Sequence, residues 1–417
     1  MLAMSDAGAA ETACRRAIEL APERAGQHCL LGEVLRELGR LDEAEDALRA
    51  ALRCDREHFR THTALGNLMR TRLDMDSARR HYEAALRRKP DSALARWNLG
   101  LLDLFEGRFK RGWEGYAAGV EAGQRTRRPF AYPPWRGETA LDGALLVYAE
   151  QGLGDEIMFA SCVPDLVARG VQCVLECDPR LTALFERSFG GVLVKGVDRG
   201  DHAWQRDLPV VAAQAGSGDL PGFLRRERGD FPSRPGYLRA DPRRVRSWTC
   251  ALQELGPGLR VGISWRGGGR AADRRERSVP YEAWRRLAET PGIVLVAAQY
   301  DRDPVDREGF RRAGVEPAWL EGLDPVRDVD GLAALLCAVD LLITVDNSSA
   351  HLCGALGRPG WVLLAPSPDW RWLVTGDHSP WYPGLKLFRS AHGSGWDEVI
   401  GRVAGEARPL AGREDCR

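Results

Sequence analysis

The sequence lacks a net charge: 59 Lys and Arg stand against 59 Asp and Glu in 417 residues. That balance offers no bulk attraction to nucleic acid or to an anionic membrane surface. Local basic runs such as Arg87-Arg88-Lys89 read as the solvated face of a helix. An uninterrupted apolar run of about 18 residues is also missing, so no integral membrane span is expected. Residues 1–20 contain Asp6, Glu11, Arg15, Arg16 and Glu19, which excludes the apolar core of a secretory signal. The ten cysteines are scattered. Cys173 and Cys177 share one strand pattern, and no second Cys/His pair with zinc-site spacing accompanies them, so both read as packing residues and no metal is expected. These features imply a cytoplasmic chain with free thiols.

What is present begins with a repeat. Leu31-Gly32, Leu65-Gly66 and Leu99-Gly100 recur every 34 residues, the period of the tetratricopeptide repeat. Other rows keep the phase: Ala44, Ala78 and Gly112; Ala51, Ala85 and Gly119; and a bulky row of Leu48, Tyr82 and Tyr116. Small residues let the paired antiparallel helices approach closely, and the bulky row fills the space left. Residues 4–20 match only the second helix of a further repeat, so the first repeat is incomplete. The pattern places repeats over residues 1–122 and a linker over 123–140, where Pro133-Pro134 stops helical structure.

Beyond the linker the pattern changes to strands alternating with helices. Leu145–Ala149, Val171–Glu176 and a segment near Asp207–Val211 read as strands of one set; Arg260–Trp265, Ile293–Ala297, Leu341–Val345 and Gly360–Leu364 read as strands of a second. Such alternation implies βαβ units and parallel sheets. The fold class is therefore α followed by α/β, with a first half over 141–245 and a second over 246–395. The amphipathic stretch from Trp396 is expected to be a helix crossing back to the first half, in a segment 396–417.

Several strand ends carry chemistry. Gln151-Gly152-Leu153-Gly154-Asp155 follows the first strand and opens a helix. Gly152 and Gly154 permit a tight turn and close backbone approach, and the helix N-terminus suits an anion. The spacing is not that of a dinucleotide fingerprint. Asp155 reads either as a helix cap or as a general base. Asp346-Asn347-Ser348-Ser349-Ala350-His351 sets small polar side chains at the start of an otherwise apolar helix, which suits a diphosphate or, more blandly, a helix cap with a satisfied histidine. Arg277-Ser278-Val279-Pro280 opens another helix, behind a Gly-rich loop at 267–269 and beside Arg270, Arg274 and Arg275. Asp369-Trp370-Arg371-Trp372 and Ser379–Pro383 concentrate aromatics that stack on sugars or anchor loops to a core.

Taken together, the Gly154-Asp155 turn, Arg277–Pro280, and Asp346–His351 with Gly354-Ala355 resemble glycosyltransferase family 9, the heptosyltransferase-like group, over about residues 141–405. The resemblance implies a GT-B fold of two Rossmann-like halves facing a cleft, and an inverting, metal-independent sugar transfer from a nucleotide-diphosphate sugar. It makes Asp155 the acceptor-activating base. It makes Arg277, Gln299, Asp346, Asn347, Ser348, Ser349 and His351 the donor-binding set, with no cofactor. The chain departs from the family at Asn347-Ser348, where Thr or Ser then Gly is usual, and at Arg277, where Lys is usual. The repeats would then recruit a protein or peptide acceptor. Two alternatives remain at this point: a non-catalytic repeat scaffold with a degenerate transferase half, and a transferase acting on a glycan or lipid-linked acceptor.

Overall fold

The computed structural model describes residues 2–198, 203–268, 277–301, 303–391 and 394–412. Arg270, Arg274, Arg275 and Gly269 lie outside the described residues. The described residues divide into two compact units: 2–126 with 367–375, and the remaining described residues from 127 onward.

The first unit is the repeat array. Its helices are α1 (Leu2–Leu20), α2 (Ala25–Glu37), α3 (Leu41–Cys54), α4 (Phe59–Thr71), α5 (Met75–Arg88), α6 (Ala93–Phe105) and α7 (Phe109–Tyr116). The glycine row does what its period predicts. A Cβ on Gly32 would fall 2.5 Å from Leu48 Cγ, and one on Gly66 would fall 2.4 Å from the Tyr82 ring. Each glycine is thus a socket for the bulky residue of the next helix. The third repeat solves the problem differently. A Cβ on Gly100 would meet the backbone of Gly115 at 2.6 Å, so α6 and α7 touch main chain to main chain. Side chains can rotate away from an added methyl group, whereas two helix backbones cannot. Gly100→Ala should therefore cost about 1–3 kcal/mol. Hydrogen exchange of the α6 and α7 amides reads this directly, and rates unchanged from the parent would reject the backbone-contact account.

The aromatic loop 367–375 belongs to this unit and not to the second α/β half, as its place in the sequence suggested. Trp370 meets Trp113 edge-on at 5.5 Å and Tyr116 at 5.8 Å, and Val374 N donates to Phe105 O at 2.9 Å. Asp369–Trp372 is therefore a packing anchor of the last repeat. The expected linker is likewise split. Residues from Arg127 onward belong to the second unit, where Trp135 N donates to Gln214 O and Gln214 N to Pro133 O.

The second unit holds two separate parallel sheets. In the first half, β1 (Ala144–Tyr148) leads to α8 (Leu153–Phe159) and α9 (Val163–Ala168). Then come β2 (Cys173–Cys177), α10 (Thr182–Ser188), β3 (Leu193–Gly196), β4 (Val211–Gly216) and α11 (Pro221–Leu224). The sheet order is β3-β2-β1-β4, with Leu145 opposite Cys173. The expected strand near 207–211 is displaced: Ala203–Asp207 is a 3₁₀ turn and the strand starts at Val211. Pro209 has no N–H for a ladder, which delays pairing.

The second half opens with α12 (Pro242–Gln253) and β5 (Leu259–Ser264), followed by α13 (Arg285–Ala288), β6 (Ile293–Ala297) and α14 (Val305–Arg312). It continues through α15 (Val329–Ala338), β7 (Leu341–Val345), α16 (Ser348–Ala355), β8 (Gly360–Leu364), β9 (Leu385–Arg389) and α17 (Trp396–Ala411). Its order is β6-β5-β7-β8-β9, all parallel. Neither β3 nor β9 was anticipated: both are short edge strands with little periodic signal.

The expected crossover of the last helix is corrected. Val399, Ile400, Val403, Ala407 and Ala411 of α17 share one buried core with Trp284, Leu287, Val261 and Ile263 of the second half. An amphipathic stripe states that one face is buried without stating which surface receives it. Here the short connection from the edge strand β9 leaves α17 beside the sheet it has just left.

Candidate functional site

The site lies at the carboxyl ends of the strands, where parallel α/β sheets leave a crevice. After β1 the chain turns through Gln151 and Gly152 into α8. Asp155 is the third residue of that helix, half-buried, and its Oδ2 accepts from Gly152 N at 3.2 Å. The carboxylate thus caps the helix. Gly154 is needed for close approach: a Cβ there would fall 3.0 Å from His351 Cδ2 and 3.6 Å from Ser348 Oγ. The first turn of α8 therefore meets the first turn of α16, one from each half. Sequence reasoning proposed each turn separately; the fold joins them.

Behind Ser348 the polar residues form a buried network. Asn347 Oδ1 accepts from Ser349 N at 2.9 Å and Ala350 N at 3.4 Å, which caps α16. Its Nδ2 donates to Ser264 Oγ at 2.8 Å and Arg266 O at 3.1 Å, so one amide ties the end of β7 to the end of β5. Gln299 does the same from β6. Its Oε1 accepts from Ser264 Oγ (3.0 Å), Trp265 N (2.9 Å) and Arg266 N (3.1 Å). Both amides are almost wholly buried, and these bonds are made inward. Ser349 is fully buried, its hydroxyl 3.4 Å from Ala298 O. A Thr at position 347 would lack the Nδ2 that reaches β5, which accounts for an asparagine here.

Arg277 comes to the same strand ends. Its Nη1 lies 3.4 Å from Asp346 Oδ2, and its other terminal nitrogen donates to Gly268 O. Ser278 Oγ accepts from Gly267 N at 3.3 Å. All seven donor-set residues predicted from the sequence therefore gather at the ends of β5, β6 and β7. Gly154, which stands between Gly152 and Asp155 in the turn that opens α8, lies opposite His351.

Other residues of the site were not legible. Asp306 is fully buried and accepts from Trp265 Nε1 (3.3 Å), Tyr281 Oη (2.8 Å), Asp303 N (3.2 Å) and both terminal nitrogens of Arg266 (2.8 Å each). Burial and the adjacent Asp306 carboxylate push the Tyr281 phenol up to about 12. In sequence Asp306 sits in a run of charges that reads as a solvated face; only the sheet reveals it as a hub. Between the halves lies a cleft of about 450 Å³, open to solvent, lined by Leu153, Ile157, Arg180, Tyr300, Val326 and Ser348 among others. Arg180 is fixed by Asp178 at 2.7 and 2.8 Å and donates across the cleft to Val326 O at 3.0 Å. Among the described residues no group of three or more His, Cys, Asp or Glu side chains is arranged to hold a metal ion. No helix among them is long and apolar enough to cross a membrane.

Comparison with known proteins supports the repeat part of this architecture. The tetratricopeptide-repeat family model matches residues 2–58 and 63–111. The FlbA protein of Caulobacter vibrioides is 34% identical over 336 residues, which cover 77% of this chain and 56% of that protein. The chain thus matches little more than half of that relative's length, and its name states no chemistry. A family 9 glycosyl transferase from Veillonella parvula aligns at 16% identity and a TM-score of 0.47, over 66% of this chain and 99% of its own. The ADP-heptose lipopolysaccharide heptosyltransferase II of E. coli aligns at 16% identity and a TM-score of 0.42, over 66% and 100%. The chain carries tetratricopeptide repeats within residues 2–111, followed by a unit of two parallel α/β sheets.

Proposed function

We propose that the chain is an inverting, metal-independent glycosyltransferase. It moves a sugar from a nucleotide-diphosphate sugar to an acceptor hydroxyl, with a protein held by the repeats as the acceptor. The observation that carries the reading is the meeting of two helix N-termini across one cleft, with Asp155 on one and Ser348 and His351 on the other. The positive end of a helix dipole at such termini favours an anion. The diphosphate lies against the first turn of α16, and Arg277 exchanges part of its contact with Asp346 for a phosphate oxygen. Apolar walls from Leu153, Ile157 and Val326 cover the nucleoside.

The chemistry then balances without further groups. Asp155 takes the proton of the acceptor hydroxyl as its oxygen attacks the anomeric carbon from the face opposite the phosphate. The new C–O bond forms as the bond to the diphosphate oxygen breaks. The nucleoside diphosphate leaves with the electron pair, its growing charge met by helix N–H groups, His351 and Arg277. Concave repeat surfaces suit an extended peptide acceptor.

Calorimetry with UDP, GDP and ADP on Ser348→Ala, His351→Ala and Arg277→Ala variants tests the donor site. Loss of the charged contact in Arg277→Ala should weaken the nucleotide that binds the parent by about 1.5–3 kcal/mol. Affinity equal to the parent's in all three variants would refute this placement of the diphosphate.

A further inference from the structure

The two halves are joined by the chain between α11 and α12, and this connection crosses the far ends of the two helices that meet at the cleft. Both helices line that cleft, α8 through Leu153 and Ile157 and α16 through Ser348 and Leu352. Their first turns approach each other at Gly154. The last four carbonyls of a helix have no partner within it. Tyr237, in the connection, serves both helices. Its hydroxyl donates to Ile157 O of α8 at 2.7 Å. Its main-chain N–H donates at 2.8 Å to the O of Ala355, the last residue of α16, and Leu238 N donates to the same oxygen at 2.9 Å. One residue thus completes the ends of two helices from different halves.

The backbone is shaped for this crossing. A Cβ on Gly236 would fall 2.6 Å from Gly357 N and 2.7 Å from Leu356 C, main-chain atoms that cannot turn aside. Gly357 has a φ of +66°, the left-handed region that favours glycine, and its own Cβ position is 2.5 Å from Pro235 O. Two glycines therefore let the connection lie directly on the end of α16. Burial pushes the Tyr237 phenol well above its ordinary range, so the hydroxyl keeps the proton that it donates to Ile157. Tyr382, whose hydroxyl lies 2.9 Å from His351 Nδ1, is a further hydrogen-bond partner of Tyr237. Gly154 and Ile157 are about 4.5 Å apart along α8, and His351 and Ala355 about 6 Å apart along α16. Over such short, stiff levers a shift at the tied ends is carried to the first turns.

We propose that Tyr237 is a positioning residue: as a clip on the connection between the halves, it fixes the spacing of α8 and α16 and thereby the width of the cleft that they line. The clip stands on the fold alone, and only the identity of what the cleft holds rests on the donor-site reading.

Tyr237→Phe keeps the ring and the main-chain N–H and removes the hydroxyl. Hydrogen exchange of the full chain, followed by mass spectrometry, should show the amides of α8 and α16 exchanging together, roughly 2- to 13-fold faster than in the parent, as one lost hydrogen bond predicts. The amides of β6 and of the repeats should keep the parent's rates. A hydroxyl that served only as a local cap would speed exchange at the end of α8 alone. Tyr382→Phe leaves the bond to Ile157 in place and should leave α8 at the parent's rates. Calorimetry with UDP, GDP and ADP then reads the cleft. The nucleotide that binds the parent should bind Tyr237→Phe more weakly by the same factor, although Tyr237 sits at the far end of both helices. Unchanged exchange in α16, the whole pattern reproduced by Tyr382→Phe, or an unchanged affinity would each overturn the proposal. Failure of all three nucleotides to bind the parent would count against the donor-site reading, while the exchange rates still decide the part played by Tyr237.

Discussion

Asp155→Asn should fold as the parent does, bind nucleotide as the parent does, and turn over a true acceptor roughly 100- to 10,000-fold more slowly, the range expected for loss of a general base. That corresponds to about 3–5 kcal/mol of barrier. The prediction separates two roles that occupy one side chain. Asp155 Oδ2 accepts from Gly152 N at 3.2 Å, so it caps α8. Asparagine caps a helix about as well as aspartate, and its side-chain oxygen can accept the same bond. The amide cannot take a proton from an attacking hydroxyl. Thermal unfolding and nucleotide titration therefore serve as internal controls, and steady-state turnover is the readout. Turnover within a few-fold of the parent would leave Asp155 as a cap and send the search for the base elsewhere.

Asp306→Ala should lower the stability of the α/β unit by about 3–5 kcal/mol, the cost of removing one partner from a buried ion pair. The carboxylate is fully buried, and it takes four donor groups besides its own turn: two nitrogens of Arg266, Trp265 Nε1 and Tyr281 Oη. Removing it leaves the Arg266 guanidinium, whose side chain is only 14% exposed, with Asp301 at 3.1 Å as its remaining carboxylate. Water cannot easily replace a partner at that depth. Asp306→Asn keeps an acceptor for Tyr281 and Trp265 and should lose less. Urea unfolding of both variants, followed by tryptophan emission, checks the ranking. Equal stability of Asp306→Ala and the parent would show that the existing pair with Asp301, at 3.1 Å, is enough to hold Arg266.

The two predictions draw on different kinds of information. Asp155 was named from the order of residues alone, because a glycine turn after a strand exposes whatever follows it at the helix start. Asp306 was not, because a carboxylate among Asp301, Asp303 and Arg307 has the local signature of a solvated surface. Local periodicity reports which faces are buried within one element. It does not report which distant element supplies the guanidinium that makes a buried charge tolerable. The same limit explains the last helix: the stripe from Val399 to Ala411 was evident, while the surface it covers was assigned to the wrong half.

The sequence by itself determined the repeat array, since a period of 34 with small residues in register has one physical use, the close packing of paired helices. It also determined that two α/β sets follow and that glycine, serine and histidine stand at their strand ends, because short apolar runs bounded by turn residues are local signals. Tertiary structure alone decided that Gly154 meets His351, that Asn347 and Gln299 turn inward to bind three strands together, that Tyr237 joins the ends of α8 and α16, and that Trp370 anchors the last repeat. The physical reason is common to all four. Each is a contact between segments far apart in the chain, and nothing in either segment changes its own period, turn chemistry or charge to announce the other.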